Sequence, residues 1–417
     1  MDQRHLWFGI AFGLLFRAIL LPTDLILEND IYRYMWDGHT SRQGINPFRY
    51  APSDHETVPY RTAYWSKINY PYVPTIYPPT LQYIFMFSDS IYPGSITGMK
   101  FFLLVFDIGT IFILLALLEA LKKPPEWCLI YAWSPLVIKE IANSGHADVV
   151  SAFCIATLML LIVKKKLIRS SLALAALFLT KFFGILFLPL LFITWRFRHY
   201  TIFGLFVVLL YLPFLSLDVN PFAGFLTYSK EWQFNAGLYE GLLNLLNHAG
   251  GKATENAAIL ARLFMFSIVL ITTMWQTIAL SWRTEEVDLF RAMFVVTAVL
   301  LLCSPVINTW YLVWLVPFFC LFPSRAWIML SGLVFLSYTY YYHHDFPSWV
   351  KPIEFGFFFY LLFKETVIPK FRWGVIGAWP PIACETEPTG EGTIEAVETD
   401  ASNNDAPTQQ VNPTDPR

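Results

Sequence analysis

Residues 77–91 read YPPTLQYIFMFSDSI. The stretch is apolar enough for a membrane but short, and it opens on Pro78-Pro79. Whether it spans decides which way every later segment points. A spanning helix needs about 20 residues. Apolar segments of spanning or near-spanning length fall at 6–22, 96–121, 126–142, 147–163, 169–182, 183–196, 200–217, 255–282, 288–304, 309–322, 326–342 and 351–369. Cytoplasmic loops carry an excess of Lys and Arg, and this discriminates. If 77–91 only lies in the interface and the N-terminus is inside, Lys122-Lys123, Lys164 to Lys166 with Arg169, and Arg196 with Arg198 are cytoplasmic. Arg283, Arg325 and Lys370 with Arg372 then join them. If 77–91 spans, the first three clusters are forced outside. The expectation is therefore an all-α polytopic membrane protein of about 11–13 transmembrane helices, with both termini cytoplasmic. Four polar segments, 23–95, 143–148, 218–254 and 341–350, then face outward, with Lys181 and 304–311 at outer tips.

Composition agrees. The 417 residues are 56% hydrophobic and 14% charged, against about 25% charged in ordinary soluble proteins. The net charge of −2 says little, because in a membrane protein distribution matters more than sum; no nucleic-acid partner is expected. Trp (15) and Tyr (21) suit membrane interfaces and also line carbohydrate sites. Cys128, Cys154, Cys303, Cys320 and Cys384 show no paired spacing, so neither a disulfide framework nor a metal motif is expected. The first apolar run, interrupted by Arg17 and lacking an A-x-A site, reads as a retained span. Residues 374–417 are rich in Glu, Asp, Thr, Asn and Pro and read as a disordered acidic cytoplasmic tail after a transmembrane domain at 1–373.

The first outer loop, 23–95, opens with DIYRYMWDGHTSRQGINPFRY at 30–50. Ile31, Tyr34 and Met35 mark one side of a helix over 31–43, with Asn29 or Asp30 as N-cap. Gly44 would end it and Asn46-Pro47 turn the chain. Such a helix could bed its apolar side among head groups and lift its polar side into an external site, or it could be a plain interfacial anchor. Further along, WSPLVIKEIANSGHADVV groups Lys139, Glu140, His146 and Asp148 about a Ser-Gly break. Ionisable groups at membrane depth are costly and usually functional, although a Lys-Glu neighbour pair can also snorkel to the interface. Lys181 in FLTKFFG is an anchor or a phosphate ligand. SPVINTWYLVW supplies Asn308, Trp310 and Tyr311, readable as an aromatic belt or as sugar contacts. YYHHDFPSW holds His343 and His344 side by side, which do not share a helix face. These groups gather on one side of the membrane, whereas a two-sided transport path would spread charge through its depth.

DIYRYMWDG, GINPFRYAP, KINYPYVPTIYPP, SPLVIKEIANSGHADVV and the late Trp-Tyr-x-x-Trp segment together resemble the GT-C class of membrane glycosyltransferases. The nearest likeness is to bacterial polyprenyl-phosphate-mannose-dependent alpha-1,6-mannosyltransferases of the mycobacterial type, over roughly residues 1–370. The resemblance implies a sugar donor on a polyprenyl phosphate at the outer face of the bacterial plasma membrane, and a glycan or glycolipid acceptor. It implies an acidic residue after the first span, acting as general base or as a metal-assisted equivalent. Asp30 matches that position, with Glu28 close by. A sugar hydroxyl needs its proton removed as it attacks, and a departing lipid phosphate needs cations or donors. Arg33, Lys139 and Lys181 are candidates for the phosphate. Trp36, Tyr77, Trp310 and Tyr311 are candidates for stacking on pyranose faces. Asn46, Glu140, His146 and Asp148 are candidates for hydroxyls, Asn308 is a further substrate-binding candidate, and Asp37 is either a sugar contact or part of a solvated face. Relatives often have two neighbouring acids where this chain has Asn29-Asp30, and His-Pro where it has Asn308-Thr309. No metal triad is legible, so metal-independent transfer is expected, without a cofactor. The competing reading is a transporter or flippase of lipid-linked sugars, which should show internal repeats or paired broken helices; no convincing repeat between the halves is legible.

Overall fold

The computed structural model describes residues 2–250, 255–283 and 285–368. The described chain is helical, with one isolated parallel bridge between Phe234 and Val306. The tail read at 374–417 lies outside the described residues, as does the end of the segment 351–369.

Among the described residues, three helices are long and apolar enough to cross a membrane: Ile96–Ala120, Phe197–Phe214 and Asn256–Leu280. On the last of these Leu263, Phe264, Ile271, Met274 and Trp275 are exposed, so a broad apolar face lies uncovered by protein. Other expected spans are helical but interrupted. The stretch 126–142 breaks at Trp133-Ser134, where Pro135 lacks a backbone donor and the Ser134 hydroxyl caps the Val137 N–H at 3.4 Å. It continues as a π-helix over Ile138–Asn143. Pro189 sits within the broken stretch Phe182–Ile193, and Pro317 follows the 3₁₀ turns of Thr309–Trp314. Hydropathy locates such segments, but proline and local turn chemistry decide where their ladders break.

The helix Pro79–Ile91 has 13 residues. At 1.5 Å per residue it reaches about 20 Å, short of a hydrocarbon core of about 30 Å. It starts on a proline at a position where the missing N–H costs nothing. It packs on the helix Asp30–Arg42, where Gly38 allows the approach: a Cβ there would lie 2.4 Å from the Phe85 carbonyl oxygen. Tyr34 and Phe85 stack at 4.7 Å and 7° across the contact, a pair worth about 0.5–1.5 kcal/mol beyond its buried area. At the far end Arg42 Nη1 donates to Asp89 Oδ2 at 2.8 Å.

The expected interfacial helix is therefore corrected in one respect. It exists, begins at Asp30 after Asn29 and ends before Gly44 at φ +80°, but protein covers it. Its polar side is buried as well as its apolar one, because Arg33 and Asp37 pair at 2.8 Å inside the fold.

The first helix, Gln3–Leu20, is held by Arg17. Arg17 Nε donates to Asp107 Oδ2 at 2.5 Å and Nη2 to Asp107 Oδ1 at 3.2 Å. Nη1 donates to the Ala132 and Gly13 carbonyls at 2.7 and 3.0 Å. A bidentate, fully engaged guanidinium is the arrangement that makes a buried charge tolerable.

Candidate functional site

The segment after the first helix is fixed by residues far away in the chain. Asn143 Nδ2 donates to Thr23 Oγ1 at 2.9 Å and to the Asp24 carbonyl at 2.7 Å, and its Oδ1 accepts from the Ile26 N–H at 3.1 Å. Lys100 Nζ donates to the Thr23 carbonyl at 2.7 Å. This clamp delivers Glu28 and Asp30 to a cavity of about 370 Å³. Arg33, Tyr77, Asp148, Lys181, Asn308, Trp310 and Tyr311 also line it, so residues spread from 28 to 311 converge there.

Asp30 is the first residue of its helix, where the backbone N–H groups favour negative charge. Its Oδ1 accepts from Asn69 Nδ2 at 2.7 Å, and Oδ2 lies 4.0 Å from His146 Nδ1. Burial pushes the Asp30 carboxyl above the usual carboxylate range, opposed by the Asn69 hydrogen bond and by Lys181 and Arg33. A stronger base at the mouth of a cavity is what proton abstraction needs. Glu28 accepts from the Tyr341 hydroxyl at 2.9 Å. Burial, then the charges of Asp30 and Glu140, push Glu28 up to about 9, so it holds a proton at neutral pH. Two carboxyls placed together thus take different protonation states.

Asp148 opens the helix Asp148–Val163 and accepts from Trp314 Nε1 at 2.8 Å. Its Oδ1 lies 3.2 Å from Lys181 Nζ, and that ammonium sits 4.9 Å from the Tyr311 ring centroid. Tyr311 stacks on Trp314 at 4.7 Å and meets the Tyr228 hydroxyl at 2.6 Å. Arg33 spends Nε on Asp37, while its buried Nη2 has no hydrogen-bond partner.

Lys139, Glu140 and His146 stand behind the cavity rather than on its lining. His146 follows Gly145, whose φ of +70° and tight approach to Ile31 leave no room for a side chain. The imidazole stacks on Trp310 at 3.8 Å, and its Nε2 lies 3.3 Å from Glu140 Oε2. Burial and the nearby Lys139 and Lys181 push it well below the usual histidine value, so the ring is neutral. Tyr338 donates to Glu140 Oε1 at 2.7 Å and accepts from Lys139 Nζ at 2.7 Å. The group makes a rigid backing for Asp30 and Trp310.

Besides Lys139, Glu140 and His146, three further residues named from the sequence lie off the lining. Trp36 is buried in the core beneath the helix Asp30–Arg42, with no face open to a sugar. Asp37 is taken up by Arg33, by the Thr75 hydroxyl at 2.5 Å and by Gln82 Nε2 at 3.2 Å. Asn46 shapes its own turn, accepting from the Phe48 N–H at 3.0 Å and donating to the Phe214 carbonyl at 2.7 Å. Conversely Asn69, Tyr228, Trp232 and Tyr341 line the cavity without having been singled out. Asn69 lies within KINYPYVPTIYPP, where an amide among aromatics was the available signal; the others had none beyond their aromatic rings. Among the described residues no three His, Cys, Asp or Glu side chains stand together as a metal site.

Residues 17–199 match the family model described as alpha-(1->6)-mannopyranosyltransferase, N-terminal domain. No curated protein and no solved structure matches the chain.

Proposed function

From a chain that carries an alpha-(1->6)-mannopyranosyltransferase N-terminal domain over residues 17–199, and is accordingly a glycosyltransferase, we propose a specific reaction. The donor is mannose on a polyprenyl phosphate, the acceptor is a glycan or glycolipid, and Asp30 is the general base. The protein is a polytopic bundle of the GT-C kind, with this cavity on the outer face of the membrane. The supporting observation is the juxtaposition of Asp30, activated by burial and held by Asn69, with Lys181 and Arg33 around one cavity.

In this reading Asp30 Oδ2 takes the acceptor hydroxyl proton as that oxygen bonds to the anomeric carbon. The bond from the anomeric carbon to the phosphate oxygen breaks with it, and inversion results. Lys181 and the unpartnered Nη2 of Arg33 receive the charge that gathers on the departing phosphate. Glu28, protonated, donates a hydrogen bond to a substrate oxygen instead of competing as base. Trp310 and Tyr311 offer faces for the sugar.

The test is transfer from short-chain polyprenyl-phosphate mannose to a mannoside acceptor by purified protein. Asp30→Asn should abolish turnover while leaving expression and thermal stability intact. Near-normal turnover in that variant would overturn the role of Asp30.

A further inference from the structure

One side of the cavity is a short extended segment, Trp232 to Phe234. It is held on one edge by backbone pairing: the Phe234 N–H donates to the Pro305 carbonyl at 3.0 Å, and the Ile307 N–H donates to the Phe234 carbonyl at 2.9 Å. Directly after it, Asn235 adopts a left-handed φ of +46° and is buried. Asparagine tolerates that region better than most residues, but it is still a conformation that surroundings must enforce. Its side chain is tied to a distant helix: Asn235 Nδ2 donates to Glu354 Oε1 at 2.9 Å. Glu354 is fully buried in the helix Val350–Val367. Lys351, one turn earlier, is engaged by Glu240 and lies 4.7 Å from the Phe346 ring centroid.

Two acceptors of this pair, Asn235 Oδ1 and Glu354 Oε2, are buried without a hydrogen-bond partner. An under-satisfied buried polar pair destabilises a fold relative to apolar side chains of the same size. Packing alone gives no reason for it at this point. Its position does: it pins a strained residue at the end of the cavity wall. That wall bears two aromatic rings and the amide of Gln233, and no charge. It suits a neutral polyhydroxyl face, whereas Arg33 and Lys181 suit a phosphate.

We propose that Asn235 and Glu354 form a latch that positions the Trp232–Phe234 wall for the acceptor sugar. Both are positioning residues, acting through the wall; the acceptor assignment rests on the transferase reading above.

Three variants test it. Glu354→Ala removes the latch from the helix side. Asn235→Gly removes it from the loop side while keeping a residue at ease in the left-handed conformation. Glu354→Gln keeps an acceptor for Asn235 Nδ2 and adds a donor for its orphaned oxygen. The expected result is an acceptor KM raised about tenfold in Glu354→Ala and Asn235→Gly, with kcat and donor KM unchanged. The double variant should be no worse than either single, since both cut the same contact. Glu354→Gln should restore the wild-type KM. In parallel, amide hydrogen exchange over residues 232–237 should lose about tenfold of its protection in the first two variants and none in Glu354→Gln. Exchange requires no turnover, so it reports the latch even if no mannose is transferred. Wild-type acceptor KM and wild-type exchange in Asn235→Gly would overturn the latch. Equal losses in every kinetic parameter together with a lower melting temperature would overturn the positioning role. If Glu354→Ala fails to fold, Asn235→Gly against wild type decides alone.

Discussion

Charge is buried in two very different ways in this chain. At Arg17 and Asp107 each oxygen of the carboxylate meets a guanidinium nitrogen, and the remaining bonds go to backbone carbonyls. Around Asp30 the bonding is incomplete. His146 faces Asp30 only at 4.0 Å, Arg33 Nη2 has no partner, and Asp148 shares Lys181 with the cavity. A saturated buried pair can only hold helices together. An unsaturated one leaves lone pairs and donors unpaired, and burial raises the pKa of its carboxyl. On the proposed reading, the contrast separates scaffold from site.

Perturbing each region should break the contrast in a different observable. The largest effect is expected at Asp30: Asn in its place should lower kcat by about 10²–10⁴-fold, with melting temperature unchanged. In the wild-type enzyme, kcat/KM should fall with acidity through a pKa above the ordinary aspartate value of about 3.9, since a base whose pKa is raised is protonated at higher pH. Asp107→Leu should do the opposite. It strands Arg17 and should cost about 3–5 kcal/mol of stability, read by thermal unfolding in detergent, with normal specific activity in the folded fraction. Recovery of stability in the double variant Arg17→Met with Asp107→Leu would complete the argument. Lys181→Met should lower kcat by about 10²-fold through loss of phosphate stabilisation, and a change in KM alone would remove it from that role.

The smallest effect concerns Glu28. Its folded pKa of about 9 lies above the ordinary glutamate value of 4.5. Its contribution to stability is therefore full below the lower value and lost progressively as pH rises toward the upper one. Glu28→Gln cannot ionise, so its melting temperature should gain on wild type as pH goes from 5 to 9. A constant gap across that window would show that Glu28 is not held protonated.

The sequence by itself determined the helical class, the cassette behind the first helix and the acid at its head. Hydropathy, a 3.6-residue period and a glycine after the last turn are local properties, and they survive being read without coordinates. It also marked Asp148 beside a Ser-Gly break and Lys181 at an expected outer tip. It could not tell Trp36 from Trp310. Both are tryptophans near charged residues, yet one fills the core and the other lies against His146 at the cavity. Nor could it pair Tyr341 with Glu28 across 313 residues, or Trp314 with Asp148 across 166. Which polar group satisfies which is set by the packing of distant helices, since a buried donor takes whatever acceptor the fold brings to it. Residue types and local periods are written along the chain; the partners of buried polar atoms exist only once the chain has closed on itself.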